Sequence, residues 1–415
     1  MLLKNSKGVL PLGGSGMAGS SQVSAAGKKK LAVLGPNANR TLTLTANYAG
    51  CKSGAGGPIL PECTFVNPLQ GLTASARASS AWDDEVLYAQ GVDIDTQDTS
   101  GISAAVAAAK EADVAVVIGG LITCQEIGYQ CQEAEARDRS SPVACNDPEA
   151  SCPDIGRDVG IGLPGKQLAL LQALATQTTT PIVLVIMSGS SVATPWAAAS
   201  DRVGAIVQHF YPGVLGGEAL AEVLFGARAP SGRLPVMIPT NESQLPIDYL
   251  DQSMMAPPGR THRYFTSTPL YPFGFGLGYS THSYGQLRVS HESLAAGTDD
   301  LETELTISVD VTNHGEYTGA HDEVVMVFAK PSLRDEPTAE MSVPRQMLLG
   351  FTRIATAPGA TATATVRVPA KRLRLYGRDG EFELLHGGYE LHVGGRAPGE
   401  VAGVEPPLTH SLRVA

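Results

Sequence analysis

From Leu31 onward the chain alternates between short stretches that are apolar at every position and longer stretches with Ala and Leu at helical spacing. The apolar stretches are Leu31-Ala-Val-Leu34, Val114-Ala-Val-Val-Ile118, Ile182-Val-Leu-Val-Ile-Met187 and Ala205-Ile-Val207; the helical ones cover 103–111, 165–176 and 218–224. A strand that is apolar on both faces must be covered on both faces, and crossover helices do this. The pattern therefore predicts an α/β layered sandwich with a mainly parallel sheet. Ligands of such sheets meet the loops leaving the carboxyl ends of the strands, which singles out the loop after Ile118.

After about Tyr284 the helical period disappears. Strand-like stretches follow at 301–312, 323–328, 346–351, 361–368 and 388–393, punctuated by Asn313-His-Gly315, Ala357-Pro-Gly359 and His386-Gly-Gly388. Such spacing predicts a small antiparallel β-sandwich. Before Leu31 a short amphipathic piece, Leu2 to Leu12, runs into a Gly/Ser-rich stretch ending at Lys28-Lys-Lys30. The expected organisation is an incoming linker over 1–30, the α/β domain over 31–284, a linker over 285–300 and the β-sandwich over 301–415.

Composition narrows the partners. With a formal net charge of -11 the chain has no basic stripe to displace counterions from a phosphate backbone, which argues against nucleic acid. No run approaches the eighteen or so apolar residues of a membrane span. An uncharged substrate fits better. Neither Gly119-Gly120 nor 213–217 has the glycine spacing of a nucleotide site, and no cofactor is implied.

All six cysteines fall between Cys51 and Cys152, in an order that allows three local pairs, Cys51–Cys63, Cys124–Cys131 and Cys145–Cys152. A metal site is the rival reading. It is disfavoured because no Cys-x-x-Cys occurs and no histidine lies in this span. Oxidised pairs, with glycosylation triplets at Asn39-Arg-Thr41 and Asn241-Glu-Ser243, suit an extracellular or secretory location. The start, Met1-Leu-Leu-Lys-Asn5, is not a signal peptide, so a signal would lie upstream.

The densest charged cluster is Gln125-Glu126 followed by Gln132-Glu-Ala-Glu-Ala-Arg-Asp-Arg139, in the loop already singled out. Carboxylates beside guanidinium groups suit general acid chemistry, although a charge run of this kind is also what a solvated loop looks like.

Leu2-Leu-Lys-Asn-Ser-Lys-Gly-Val-Leu-Pro-Leu12, Val33-Leu-Gly-Pro-Asn-Ala-Asn39, Asn47-Tyr-Ala-Gly-Cys51, Asn67-Pro-Leu-Gln-Gly-Leu72, Gly162-Leu-Pro-Gly-Lys-Gln167, Tyr211-Pro-Gly213, Gly232-Arg-Leu-Pro235 and Leu270-Tyr-Pro-Phe-Gly-Phe-Gly-Leu-Gly-Tyr279 occur in this order. Together they resemble the family 3 glycoside hydrolases. Glu133-Ala-Glu-Ala-Arg-Asp-Arg139 resembles a stretch of that family's plant and fungal β-xylosidase and α-L-arabinofuranosidase subgroup. The resemblance implies the carboxyl-terminal part of a retaining exo-glycosidase: an α/β sandwich followed by an all-β fibronectin type III-like sandwich.

By that resemblance Glu135 is the general acid/base, Glu133 is its alternative, and Asp138 and Arg139 support the loop. Ala136 stands where many members have Gly, and 140–160 is unusually long; Gly156-Arg-Asp158 is a minority alternative motif. Retaining enzymes place two carboxyls about 5 to 5.5 Å apart across the scissile bond. The resemblance assigns the nucleophilic Asp to a barrel upstream of this chain. Ser200-Asp201, by contrast, reads as a surface turn. The expected partners are a xylo- or arabino-oligosaccharide and that barrel, with a non-catalytic carbohydrate-binding or scaffold protein as the alternative. His209 reads as a packing or hydrogen-bonding residue, the segment Arg260-Thr-His-Arg-Tyr264 as structural pairing, and Tyr271, Phe273 and Phe275 as packing of a domain junction.

Overall fold

The computed structural model describes residues 1–13, 27–46, 51, 60, 63–122, 160–245, 251–297, 301–319, 321–333, 343–377, 380–398 and 406–415. Contacts divide the chain into two compact units, Met1–Arg228 and Ala229–Ala415.

The first unit is built on a six-stranded sheet. Its strands are β1 (Leu2–Asn5), β2 (Lys29–Leu34), β3 (Trp82–Ala89), β4 (Val114–Gly120), β5 (Ile182–Met187) and β6 (Val203–Gln208), in the spatial order β1-β6-β5-β4-β2-β3. Five strands are parallel, and β1 closes one edge antiparallel to β6. Every residue of β5 and β6 is buried, as expected for strands covered on both faces. The described helices are α1 (Pro68–Ala78), α2 (Ile102–Lys110), α3 (Gln167–Gln177), α4 (Pro195–Ala199) and α5 (Gly216–Phe225). Helix α1 starts at a capping box: Asn67 Oδ1 accepts from Gln70 N–H and Gln70 Oε1 from Asn67 N–H, both at 2.9 Å.

Within the linker expected over 1–30, residues 1–13 belong to the folded unit. Leu2 and Leu3 are buried in β1, and Leu10 and Leu12 are also buried in the core. Lys4 Nζ donates to the carbonyls of Ala197, Ala198 and Ser200 at 3.3, 3.0 and 2.8 Å, placing a cation on the exposed carbonyl end of α4. Asn5 holds the following turn by bonding both the N–H and the C=O of Leu10. A four-residue edge strand is too short to carry a period, so its two leucines read as an isolated amphipathic piece.

The second unit is a β-sandwich. One sheet has the order β11-β10-β15-β16-β8 and contains β8 (Ser293–Leu294), β10 (Asp322–Leu333), β11 (Met347–Ala355), β15 (Gly387–Gly394) and β16 (Leu408–Val414). The other has the order β12-β9-β7, from β7 (His282–Val289), β9 (Glu304–Asn313) and β12 (Thr361–Pro369). A two-stranded ribbon joins β13 (Leu375–Tyr376) to β14 (Phe382–Glu383). Alternate residues of β9, Leu305, Ile307, Val309 and Val311, face Val325, Val327, Leu391 and Val393 in one core.

One further expectation shifts. Within the linker expected over 285–300, residues 285–289 lie in β7, which pairs with β9, and Ser293–Leu294 form β8. The described residues of 229–281 also contact the sandwich: Arg345 N–H donates to Arg263 O at 2.7 Å and Gln346 Nε2 to His262 O at 2.9 Å. Arg233 forms a buried two-bond ion pair with Glu323 of β10, at 2.7 and 2.8 Å, and the Tyr284 hydroxyl adds a third bond at 2.6 Å. Tyr271, Phe273 and Phe275 pack inside this unit, Tyr271 on Phe275 and Phe273 on His262 and Phe328.

Candidate active-site edge of the parallel sheet

The first described residues after β2, β4, β5 and β6 lie at the carboxyl edge of the parallel sheet, where Asn37, Gln167, Ser188 and Gln208 are buried. Strand β4 ends at Gly120, with φ +123°, where a Cβ would overlap Met187 O of β5. Only glycine fits both that backbone conformation and that approach. Gln167, the last residue of Gly162-Leu-Pro-Gly-Lys-Gln167, then fastens the end of the strand. Its Oε1 accepts from Gly120 N–H at 2.8 Å, and its Nε2 donates to Gly120 O at 2.8 Å and Ile94 O at 2.7 Å. Every polar atom of this buried carboxamide is used.

The next residue is held from both sides. Leu121 N–H donates to Met187 O at 2.8 Å, and Leu121 O accepts from Asn37 Nδ2 at 3.2 Å. Asn37 follows β2 and is itself fixed by its N–H on Ile118 O at 3.0 Å. Its Oδ1 is buried and has no hydrogen-bond partner among the described residues. Where description resumes after residue 159, Ile161 O accepts from Ala193 N–H at 2.6 Å. Gly120 and Leu121 are thus held by Gln167 and Asn37, and Ile161 by Ala193.

Glu133, Glu135, Asp138 and Arg139 lie outside the described residues, as do Asp158, Cys124, Cys131, Cys145 and Cys152. Cys51 and Cys63 are joined as a disulfide, with 5.6 Å between their Cα atoms.

The strand ends on the other side of β4 are neutral. Ser188 Oγ donates to Ser190 O at 2.8 Å and accepts from Gln208 Nε2 at 3.0 Å. His209 Nε2 meets Gly216 O at 3.1 Å, so that nitrogen carries the proton. Burial pushes its pKa down to about 4, leaving a neutral ring that holds the start of α5. Ser200-Asp201 occupies the turn between α4 and β6, with Asp201 exposed at the amino end of the strand and away from this edge.

In the second unit, Arg260 donates to the carbonyls of Asp251 and Ser253 at 2.6 and 3.3 Å, in line with a structural reading of its segment. His282, His321 and Glu323 are the one group among the described residues whose geometry would suit a metal ion. Glu323, however, already accepts from Arg233 and Tyr284, and a dication there would face a fixed guanidinium. The group is better matched to an ion-pair network than to a metal.

Sequence reasoning passed over Gln167 and Asn37, although both lie inside motifs it singled out. For Asn37 the available signal was an uncharged polar residue between Pro36 and Ala38, a pattern typical of a side chain that satisfies backbone groups; Gln167, next to Lys166, gave no such signal.

Residues 1–279 match the family described as the glycosyl hydrolase family 3 C-terminal domain, and 323–397 match the fibronectin type III-like domain. Beta-D-xylosidase 1 of Arabidopsis thaliana is 31% identical over 95% of this chain and 47% of its own length. A beta-xylosidase of Formosa agariphila is 30% identical over 95% of this chain and 46% of its own length. Among solved structures, a family 3 exo-β-xylosidase in complex with a xylobiose aziridine probe aligns with all of the chain and 47% of its own, at 26% identity and a TM-score of 0.72. A β-glucosidase of Erythrobacter marinus aligns over 100% and 49%, at 27% identity and a TM-score of 0.69. The chain spans about half the length of the relatives it matches. It belongs to glycosyl hydrolase family 3, of which it carries the C-terminal domain followed by a fibronectin type III-like domain.

Proposed function

We propose that this chain is the carboxyl-terminal part of a retaining exo-glycosidase that releases xylose from xylan oligosaccharides, with α-L-arabinofuranosides as a second substrate class. Glu135 protonates the leaving oxygen in the first step and deprotonates water in the second. Glu133 is the alternative donor, and Asp138 and Arg139 hold the loop. The nucleophilic Asp belongs to a barrel domain outside this chain, for which the relatives, about twice as long as the matched segment, have room. Location in the secretory pathway or outside the cell goes with this reading, supported by the Cys51–Cys63 disulfide.

The observation that carries the proposal is the paired clamp at the carboxyl edge of β4. Gln167, Asn37 and Gly120 fix the root of the segment containing Glu135, and a general acid has to be held to within a fraction of an ångström of the oxygen it protonates. The test is to express the chain alone and fused behind a family 3 barrel, with aryl β-D-xyloside and aryl α-L-arabinofuranoside as substrates. The fusion turns over the xyloside faster than the arabinofuranoside, and the chain alone turns over neither. Hydrolysis by the chain alone, or a fusion that turns over neither substrate, refutes the assignment.

A further inference from the structure

Along one side of the sandwich of the second unit the edges of its two sheets meet. There β11, the edge of the five-stranded sheet, and β12, the edge of the three-stranded sheet, border a groove of about 340 Å³. That size falls within the range of sites for small ligands. The two walls differ in character. Val366 supplies apolar surface, while Phe351 stands 63% exposed on the rim, a large ring left in water where most of its kind are buried. Thr352 and Thr365 add hydroxyls; that of Thr365 has a neighbour in Ser308 Oγ at 3.1 Å and retains capacity for a further bond.

The charge lining the groove is of one sign. Arg367 and Arg372 line it and no carboxylate does, in a chain whose net charge is -11. Arg367 pairs with Glu304 at 3.2 Å, both largely exposed, a contact of the kind that opens readily. Arg372 makes no ion pair among the described residues.

An exposed ring for the C–H face of a sugar, hydroxyls for its equatorial oxygens and an unpaired guanidinium for a carboxylate are complementary to an acidic saccharide. A β-strand from a partner protein fits less well. Strand β12 ends in Pro369, and Arg353 and Arg367 place charge on the two edges, features that disfavour strand addition.

We propose that this groove binds a xylan-type oligosaccharide carrying uronic-acid substituents, with a pyranose ring on Phe351 and a uronate on Arg372. The choice of xylan rests on the function proposed above; the groove itself does not. It would hold polymer near the enzyme without taking part in bond cleavage.

The test is calorimetric titration of the full 415-residue chain with a uronate-substituted xylo-oligosaccharide and with its neutral counterpart. The substituted sugar binds saturably and more tightly than the neutral one at low salt, and the difference shrinks at high salt. Phe351→Ala and Arg372→Gln each weaken binding by about tenfold or more, while Glu135→Gln leaves it unchanged. Because Phe351 and Arg372 are surface residues, unchanged unfolding curves confirm that both variants fold. The proposal is overturned if neither sugar binds, if Phe351→Ala binds as well as the parent, or if an extended peptide competes for the groove and the sugar does not. Binding without xyloside hydrolysis by the barrel fusion would sink the proposed activity and leave the groove standing; hydrolysis without binding would do the reverse.

Discussion

Gln167 satisfies the N–H and C=O of Gly120 and the C=O of Ile94 with a single buried carboxamide. Replacing it with Leu preserves much of the volume and leaves three buried backbone groups without partners, at a cost of about 1–3 kcal/mol or more. Thermal unfolding of Gln167→Leu should show this as a lower first transition, whereas Leu168→Gln, at an exposed position on the same helix, should not. Histidines provide a second residue-scale prediction. Burial pushes His209, His262 and His321 each down to about 4, so the folded chain leaves them neutral where the unfolded chain takes up protons near pH ~6.5. Because the unfolded state binds the extra protons, stability is lost as pH falls from about 6.5 towards about 4, and this contribution levels off below that. Melting temperatures at pH 7 and pH 5 measure the effect. A chain equally stable at both would contradict the buried, neutral state of these rings.

At the scale of elements, strands were legible in sequence where burial is complete and obscured where it is partial. The runs that became β4, β5 and β6 are apolar throughout because each lies between two other strands of the sheet. Strand β3 was missed because it is an edge strand whose Trp82-Asp-Asp-Glu-Val-Leu-Tyr-Ala89 turns one face to water, so its acids masked it. Strand β1 was missed for its length, yet its leucines are core residues. Leu2→Ala should cost about 2–5 kcal/mol, read as a fall in the first unfolding transition. In the second unit, Gly232-Arg-Leu-Pro235 was recognised as a motif but not as the anchor it is. Glu323 opens a stretch read only as a strand, and its partner is ninety residues away in sequence, beyond what local periodicity reports. Arg233→Ala should destabilise that unit by about 3–5 kcal/mol by leaving Glu323 buried and unpaired. The double variant Arg233→Met with Glu323→Leu should recover much of that loss. A double variant as unstable as the single one would mean that the pair matters for packing and not for charge.

Across the whole molecule, the α/β and sandwich classes were readable because each follows from one repeated constraint, burial on two faces or on one. The contacts between the described residues of 229–281 and the sandwich were not, since they are a few bonds between residues far apart in sequence. For the candidate site the split is similar. Strand β4, which the acidic segment follows in sequence, was readable, because hydrophobic runs are local. The clamp of Gln167 and Asn37 was not, because its bonds span 47 and 84 residues. The central claim concerns Glu135, and the most direct measurement is the turnover of aryl xylosides by the barrel fusion carrying Glu135→Gln, across leaving groups of different acidity. The account predicts a fall of about 10²–10⁴-fold in kcat/KM for a poorly acidic phenol and a much smaller one for dinitrophenol, which needs no proton. Equal losses for both phenols, or no loss, would contradict it.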